Sequence, residues 1–394
     1  MFEQIEDYPD DPIMIGADYF AADPRKDKLN LTVGIYQDEH GQTPVLKAVK
    51  MAEQRLIDNQ TSKSYLALTG DAEYCRVLGH EILGDVYDDT WVSAQTSGGA
   101  VALRVMSDLL AQMPQPPTVW VQTPTYGNYV PILTAARARF AHVPFYDRLR
   151  REITFDQMME GLNAAKSGDV FLMQGVCHNP TGADMNAEQF DALLDLLEAR
   201  GIVPWIDLAY LGFAIGWEAD CAMARKIAAR FPECIICITL SKSFGIYRDR
   251  AGALFVKTQV KDRASLHRAV SAIIRSGASH APDHGPSVVR TILQNDNLKR
   301  FWLDELDQMR ARVSGVRKRI AATEQALLGT DKLAYIANQA GMFSLLPLTD
   351  AQETALTRDH GIYVVKGARM NVARLGNDDI EKLIWAISKI TSPR

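Results

Sequence analysis

The sequence predicts an α/β protein with a large domain around a mainly parallel, doubly wound sheet and a second, smaller α/β domain. Short apolar runs alternate with amphipathic helical segments through the middle of the chain, and this succession is typical of parallel sheets. Beyond about residue 300 the pattern changes to a long charged helix followed by short strands. The 394 residues also exceed the ~250–300 residues at which single hydrophobic cores stop growing.

The elements of the large domain are five buried strands and a helix between two of them. The helix at 187–200 places apolar side chains from Phe190 to Leu197 on one face, at the spacing of a helical repeat. Asn186 and Gln189 have the form of an N-cap and its reciprocal partner. The predicted strands are TVWVQTP (118–124), DVFLMQGV (169–176), IVPWIDLAY (202–210), CIICITL (234–240) and AGALFVKT (251–258).

The two ends of the chain are predicted to form the smaller domain. The segment up to about Gly41 has no strong period, and the C-terminal elements are a helix from about Leu298 to Leu327, strands at 341–347 and 361–367, and a helix from about Asp378. We therefore expect an N-terminal arm and part of the small domain in 1–41, the large domain in 42–300 and the small C-terminal domain in 301–394.

Charge and hydropathy exclude several classes of function. The net charge is -5 without a basic cluster, so neither nucleic acid nor a membrane surface is expected as a partner. No run of ~18 apolar residues predicts a membrane-spanning helix, and the acidic start MFEQIEDYPDDP does not resemble a signal peptide. We expect a cytoplasmic protein, because five scattered cysteines do not form a disulfide framework.

Cys234 and Cys237 have the spacing of a metal-binding or redox pair. They lie in a predicted strand, where residues three apart point to opposite faces, so their sulfurs could not share a metal. We interpret both as core residues. His178 has no partner at metal-ligand spacing, and no metal site is predicted.

Polar residues follow several predicted strands, at the edge where open α/β sheets bind ligands. They suit a pyridine ring that carries an aldehyde and a phenolic oxygen. Lys242 can supply the amine that the aldehyde needs, and Asp207 a carboxylate that keeps the ring nitrogen protonated. Asn179 and Tyr210 can donate to the phenolic oxygen.

A phosphate on the same ring would also find suitable residues. Gly98 and Gly99 open a predicted helix, where backbone N–H groups bind anions closely, and Arg250 adds a bidentate cation. Each residue alone has an ordinary interpretation, as a turn, a helix cap or a solvated side chain. Their joint order and spacing favour the cofactor interpretation.

On these residues the sequence resembles the fold-type-I aminotransferases, specifically the aspartate and aromatic amino-acid branch. The resemblance covers nearly the whole chain, and HNPTG with SKxFGxYxxR at this separation is highly specific. The matching segments are VGIYQDEHGQTPVLKAV (33–49), SYLALTG (64–70), HNPTGAD (178–184), IDLAYLGF (206–213), SKSFGIYRDR (241–250), GMFS (341–344) and ARMNVA (368–373).

The resemblance implies pyridoxal 5'-phosphate as cofactor, amino acids and 2-oxo acids as substrates, and a homodimer with shared active sites. Arg369 then binds the substrate's α-carboxylate, and Arg275 reaches the side-chain carboxylate from the neighbouring subunit. The phosphate is then contacted by Thr239 and, across the subunit interface, by Tyr65. Ala100 and Tyr126 contact the cofactor. The remaining implied substrate contacts are Gly34, Phe343, Asn179 and Tyr126.

Several positions depart from the family pattern. Tyr126 and Tyr129 stand where a ring-stacking tryptophan and a histidine near the ring-nitrogen carboxylate are usual, although a tyrosine can still stack. Ala100 replaces a hydroxyl residue near the phosphate, and Arg374 a common glycine. His280-Ala281-Pro282 stands in place of Asn-Pro-Pro. These changes leave open the choice between dicarboxylic and aromatic substrates.

The predicted reaction is a ping-pong transfer of an amino group between dicarboxylic or aromatic amino acids and 2-oxo acids, with Lys242 moving the α-proton. A lyase or decarboxylase on the same fold is the alternative, motivated by the altered segment from Tyr126 to Tyr129. A cofactor-binding regulator is disfavoured because no DNA-binding appendage is expected and the sequence has all of Lys242, Asp207, Arg250 and Arg369. A nicotinamide dehydrogenase on a similar sheet is disfavoured because the sequence lacks the Gly-x-Gly-x-x-Gly turn.

Overall fold

The computed structural model describes residues 2–4 and 12–391, so most of the acidic N-terminal segment lies outside the described residues. The helices are α1 (Pro12–Ala22), α2 (Lys47–Asn59), α3 (Ala72–Leu83), α4 (Gly99–Ala111), α5 (Tyr129–Ala135), α6 (Phe155–Leu162), α7 (Ala187–Arg200), α8 (Trp217–Arg230), α9 (Arg263–Gly277), α10 (His284–Leu293), α11 (Asp296–Leu328), α12 (Asp350–His360) and α13 (Asn377–Thr391). Short 3-10 turns lie at Phe2–Gln4, Gly84–Val86, Ala334–Asn338 and Val372–Arg374. The strands are β1 (Leu29–Asn30), β2 (Trp91–Thr96), β3 (Thr118–Thr123), β4 (Arg139–Pro144), β5 (Tyr146–Asp147), β6 (Glu152–Ile153), β7 (Val170–Gln174), β8 (Val203–Leu208), β9 (Cys234–Thr239), β10 (Gly252–Lys257), β11 (Phe343–Leu345), β12 (Ile362–Tyr363) and β13 (Arg369–Asn371).

A seven-stranded sheet in the order β2-β10-β9-β8-β7-β3-β4 forms the centre of the fold. Only β10 runs antiparallel to its neighbours β2 and β9, and the other pairs are parallel. The predicted α/β class with a mainly parallel sheet is therefore confirmed. All five predicted strands are present, and α7 begins with the predicted capping box, in which Gln189 N–H donates to Asn186 Oδ1 at 2.8 Å.

The sheet carries a hydrophobic core on each face. Cys234 belongs to one core and Cys237 to the other, as the alternation of side chains along a strand requires. Both are buried, and Cys237 Sγ accepts a hydrogen bond from Trp205 Nε1 at 3.2 Å. The interpretation of the pair as core residues is confirmed.

A third hydrophobic cluster joins the two chain ends. It contains Leu29 and Leu31 together with apolar residues between Val316 and Ile387, and β1 pairs in parallel with β12. Helix α11 runs unbroken across the expected boundary at residue 300. The division into an N-terminal arm, a large domain and a small C-terminal domain stays a prediction.

Helix α11 also fixes the segment that ends in β11. Arg317 is fully buried, and its guanidinium donates to Gly341 O at 2.8 Å, to Phe343 O at 2.6 Å and to Ser344 Oγ at 2.7 Å. These charge-assisted bonds hold Phe343, and with it β11, against the helix. Of the helices that the structure describes, none combines the length and apolarity needed to cross a bilayer.

Candidate functional site

A cavity of about 230 Å³ lies at the carboxyl ends of the parallel strands β7, β8 and β9. Ten residues predicted from the sequence line it: Gly34, Gly99, Ala100, Tyr126, Asn179, Asp207, Tyr210, Thr239, Lys242 and Arg250. Five further lining residues were not predicted: Leu103, Gln174, Ala209, Ser241 and Tyr247. The parallel strands converge here because their carboxyl ends meet at one edge of the sheet.

Asp207 is a buried carboxylate at the end of β8. It is 5% exposed, and its Oδ2 accepts a hydrogen bond from the Tyr129 hydroxyl at 2.8 Å. Its Oδ1 is buried without a partner among the described residues. Burial raises the pKa of Asp207 to about 6, while Tyr129 and then Lys242 act in the opposite direction. The free oxygen is suited to accept a hydrogen bond from a ligand.

Lys242 follows β9 and is partly buried beside the Tyr210 ring, whose centroid lies 4.9 Å from Nζ. Burial lowers the pKa of Lys242 to about 8; the positive charge of Arg250 adds to this effect, and Asp207 opposes it. A larger fraction of the Lys242 amine is therefore neutral and nucleophilic near neutral pH than in a free lysine.

The start of α4 forms a narrow anion cradle. Gly98 has φ 86°, and a Cβ there would lie 2.5 Å from Arg250 Nη2. A Cβ on Gly99 would lie 1.9 Å from Thr239 Oγ1. Arg250 Nη2 donates to Ser97 O at 3.3 Å, which directs its guanidinium to this helix start. Backbone N–H groups, a hydroxyl and a guanidinium thus converge where a helix dipole favours an anion.

Arg369 on β13 reaches the cavity through Asn179. It is 7% exposed, its Nη1 donates to Asn179 Oδ1 at 3.4 Å, and its Nη2 donates to Thr32 O at 2.8 Å. The guanidinium lies 4.4 Å from the centroid of the Phe343 ring. Phe343 also approaches Gly34, where a Cβ would lie 3.5 Å from Phe343 Cζ. Arg369, Asn179 and Gly34, which are predicted to bind the substrate, therefore lie together with Phe343 at one corner of the site.

Arg275 and Tyr65 lie outside this cavity. Arg275, near the end of α9, is exposed, and its Nη1 donates to Ser279 Oγ at 2.6 Å. Tyr65 is 87% exposed and stacks on His280 with ring centroids 4.8 Å apart. One chain alone does not bring these two side chains to Lys242. Their assignment to the site of a neighbouring subunit stays a prediction.

Gln174 and Tyr247 are cavity residues that the sequence interpretation missed. Gln174 Nε2 donates to Asn179 O at 2.8 Å, and Asn179 N–H donates to Gln174 Oε1 at 2.8 Å. The signal for it was a polar residue that closes an apolar strand. Tyr247 lies inside the matched segment 241–250, and its hydroxyl accepts from Tyr36 N–H at 2.9 Å.

Fold and site together define a ligand-binding α/β enzyme with an amine, a buried carboxylate and an anion cradle around one cavity. The chain belongs to the aminotransferase class I and II family, whose model matches residues 26–387.

Two relatives match over nearly their full lengths. The chain is 40% identical to the aspartate aminotransferase of Escherichia coli (strain K12) over 394 residues, 98% of this chain and 99% of that protein. It is 39% identical to the tyrosine aminotransferase of Rhizobium meliloti (strain 1021) over 377 residues, 95% of this chain and 96% of that protein.

A solved structure shows the same fold. The aromatic-amino-acid aminotransferase from Burkholderia pseudomallei, covalently bound to pyridoxal phosphate, superposes with a TM-score of 0.94 at 33% identity, over 100% of both chains.

Proposed function

We propose that this chain is a pyridoxal-phosphate-dependent aminotransferase that moves an amino group between amino acids and 2-oxo acids in two half-reactions. The observation that carries the proposal is the buried Asp207 with a free Oδ1, in one cavity with Lys242. The family match and relatives named for aspartate and for tyrosine support it. A lyase or decarboxylase on the same fold is not favoured.

The residues around the cavity fit pyridoxal 5'-phosphate. Asp207 Oδ1 fits the protonated ring nitrogen, Lys242 fits the aldehyde, and Gly98, Gly99 and Arg250 fit the phosphate. When bound, the cofactor supplies an electron-accepting ring that stabilises negative charge at the substrate's α-carbon.

Lys242 has two roles in this proposal. Its amine would hold the cofactor through the aldehyde, and the same amine, when free, would act as the base that takes up the substrate's α-proton and as the acid that gives a proton back. A pKa of about 8 suits both steps, because the amine can gain and lose a proton near neutral pH. Asn179 and Tyr210, which line the cavity, would hold the cofactor's phenolic oxygen, and Tyr126 would provide an aromatic face for its ring.

A dicarboxylic substrate would be held at both ends by arginines. Arg369 binds the α-carboxylate, for which its contacts to Asn179 and Thr32 already fix its orientation. Arg275 of a second subunit binds a side-chain carboxylate, so the active unit is a homodimer. We propose dicarboxylic and aromatic amino acids as substrates, with a dicarboxylate as at least one partner in each cycle.

The proposed location is the cytoplasm. All five cysteines are free and buried, which agrees with a compartment that keeps thiols reduced.

Product analysis with aspartate tests the reaction class. Without an acceptor, the holoprotein is expected to release one 2-oxo acid per bound cofactor and then stop, because the amino group stays on the cofactor. Adding 2-oxoglutarate should restart turnover, and Lys242→Ala should abolish it. Continuous release of ammonia or carbon dioxide without an acceptor would instead establish the lyase or decarboxylase.

A further inference from the structure

Arg369 follows a tight turn whose last two residues lie in the left-handed region of backbone conformation. Gly367 has φ 89° and Ala368 has φ 60°. The turn is closed by two bonds: Val365 N–H donates to Arg369 O at 3.0 Å, and Arg369 N–H donates to Val365 O at 3.1 Å. A glycine adopts a positive φ readily, whereas the Cβ of an alanine opposes it. Ala368 is therefore strained, directly before Arg369.

The carboxylate of Glu353, on α12, holds the N–H groups of this turn. Glu353 Oε2 accepts a hydrogen bond from Gly367 N–H at 3.0 Å. Burial raises the pKa of Glu353, and the N–H groups of Gly367 and Ala368 act in the opposite direction. Successive N–H groups in such a turn form a concavity that binds an anion. Glu353 fills that concavity with an anion from within the chain.

Arg148, which follows β5, helps to keep Glu353 at the turn. Arg148 Nη1 lies 3.9 Å from Glu353 Oε2, and Arg148 Nη2 lies 3.2 Å from Asp350 Oδ1. The side chains of Arg148 and Glu353 are both partly buried, whereas Asp350 is exposed. Solvent ions screen a partly buried pair less than an exposed one. Of the two contacts, the one with Glu353 is therefore the better shielded.

The conformation of the turn decides where the Arg369 side chain points. Leu346 N–H donates to Ala368 O at 2.9 Å, and Arg369 pairs with Leu345 in the antiparallel ladder of β11 and β13. The Arg369 guanidinium reaches the cavity, where its Nη1 donates to Asn179 Oδ1 at 3.4 Å. A change of φ at Ala368 would rotate the start of β13 and move this guanidinium away from its place.

We infer that Glu353 is a positioning residue for substrate binding, whose carboxylate holds the turn at Gly367 and Ala368 in the conformation that directs Arg369 to the substrate's α-carboxylate. The inference rests on the proposed function, in which Arg369 binds that carboxylate. Glu353 does not line the cavity, so it acts through the turn and touches neither substrate nor cofactor.

Glu353→Ala tests the inference through the binding of succinate, a dicarboxylate that has no amino group to transfer. The dissociation constant of the holoprotein for succinate, from a titration of cofactor absorbance, should rise about tenfold, because the turn loses its acceptor and Ala368 relaxes. The dissociation constant for pyridoxal 5'-phosphate should stay at its wild-type value. Thr354→Ala is the matched control on the same helix. The Thr354 hydroxyl is exposed and donates to Asp350 O at 2.9 Å, so neither constant should change.

A second substitution separates positioning from a general loss of stability. In Glu353→Ala/Ala368→Gly the constant for succinate should return to within about threefold of wild type, because glycine keeps a positive φ without the acceptor. Ala368→Gly alone should bind succinate like the wild type. A double variant as weak as Glu353→Ala would overturn the inference. If Glu353→Ala does not fold, Glu353→Gln replaces it: its neutral oxygen is a weaker acceptor, and a constant for succinate that does not rise would overturn the inference.

The outcomes also distinguish this inference from the proposed function. A wild-type protein that bound no cofactor would refute the proposed function and the inference with it. A wild type that binds both cofactor and succinate, beside a Glu353→Ala variant with unchanged affinity for succinate, would overturn the inference alone.

Discussion

Asp207 carries its charge in a position where burial opposes it. The carboxyl is 5% exposed, and its pKa is raised to about 6, chiefly by burial. At neutral pH the folded, cofactor-free chain therefore bears an ionised group that would be more stable in water. Burial of this charge lowers the free energy of unfolding, and the same carboxylate provides a hydrogen-bond acceptor that suits a ring nitrogen.

Asp207→Asn should therefore stabilise the cofactor-free protein at high pH. Below the ordinary carboxyl pKa of 3.8, Asp207 is neutral in both the folded and the unfolded wild-type protein. As pH rises from there through about 6, the unfolded state ionises more readily than the folded state, so the free energy of unfolding of the wild type falls. The variant should gain roughly 1–3 kcal/mol over wild type at pH 8, and less at pH 5. Denaturant unfolding at both pH values measures this.

The control for that measurement is Asp304→Asn. Asp304 is exposed, so its replacement should change the free energy of unfolding by less than about 0.5 kcal/mol at either pH. An Asp207→Asn protein no more stable than wild type at pH 8 would show that burial does not strain the ionised carboxylate.

The positions of Lys242, Asp207 and Asn179 could be predicted because each follows a strongly apolar strand, and strand ends meet at one edge. The resemblance implied that Tyr129 lies near Asp207, but the bond from the Tyr129 hydroxyl to Asp207 Oδ2 could not be predicted. Those residues are far apart in sequence, and their contact depends on how the start of α5 packs in the folded chain. Side-chain geometry of this kind leaves no periodic signal.

At the scale of elements, the start of α4 is the tightest part of the site. The Cβ of an alanine at position 99 would overlap Thr239 Oγ1, 1.9 Å away. Either the helix start or the threonine must move, and both belong to the anion cradle. Gly127 lies in the loop before α5, and a Cβ added there would have no atom within 4 Å among its surroundings.

Gly99→Ala should raise the dissociation constant for pyridoxal 5'-phosphate about tenfold or more, because contacts between the phosphate and the helix start lengthen. Gly127→Ala should leave that constant unchanged. Equilibrium dialysis of both variants beside wild type measures the difference. Equal affinities for the two variants would mean that the phosphate does not lie at this helix start.

Strand prediction succeeded for the five inner strands of the central sheet and failed for its two edge strands, β2 and β4. In β7, β8 and β9 nearly every residue is buried, which produces continuous apolar runs. β4 lies at the edge of the sheet with Val143 as its one buried residue, so it has no such run. The antiparallel direction of β10 depends on chain connection and not on composition, and was not predicted.

At the scale of the whole molecule, one chain places Lys242 in the cavity and leaves Arg275 and Tyr65 exposed outside it. The proposed homodimer would supply both residues from the partner. Isologous contact across a two-fold axis would then build two equal sites, each with a lysine of one subunit and an arginine of the other.

Hybrid dimers test this sharing directly. Lys242→Ala and Arg275→Ala chains with different tags can be co-expressed and the hybrid purified on both tags. One of its two sites then contains both wild-type residues, so roughly half of the wild-type aspartate turnover is expected. Each parent homodimer should be nearly inactive with aspartate, while Arg275→Ala should retain turnover of phenylalanine. A hybrid as inactive as its parents would rule out shared sites.

Borohydride reduction of the holoprotein, followed by peptide mass mapping, tests the central assignment most directly. We expect the reduced cofactor to be bound covalently to Lys242, and Lys242→Ala to carry no such adduct. An adduct on another lysine, or none in the wild-type protein, would contradict the proposal that this amine and the buried Asp207 hold the cofactor between them.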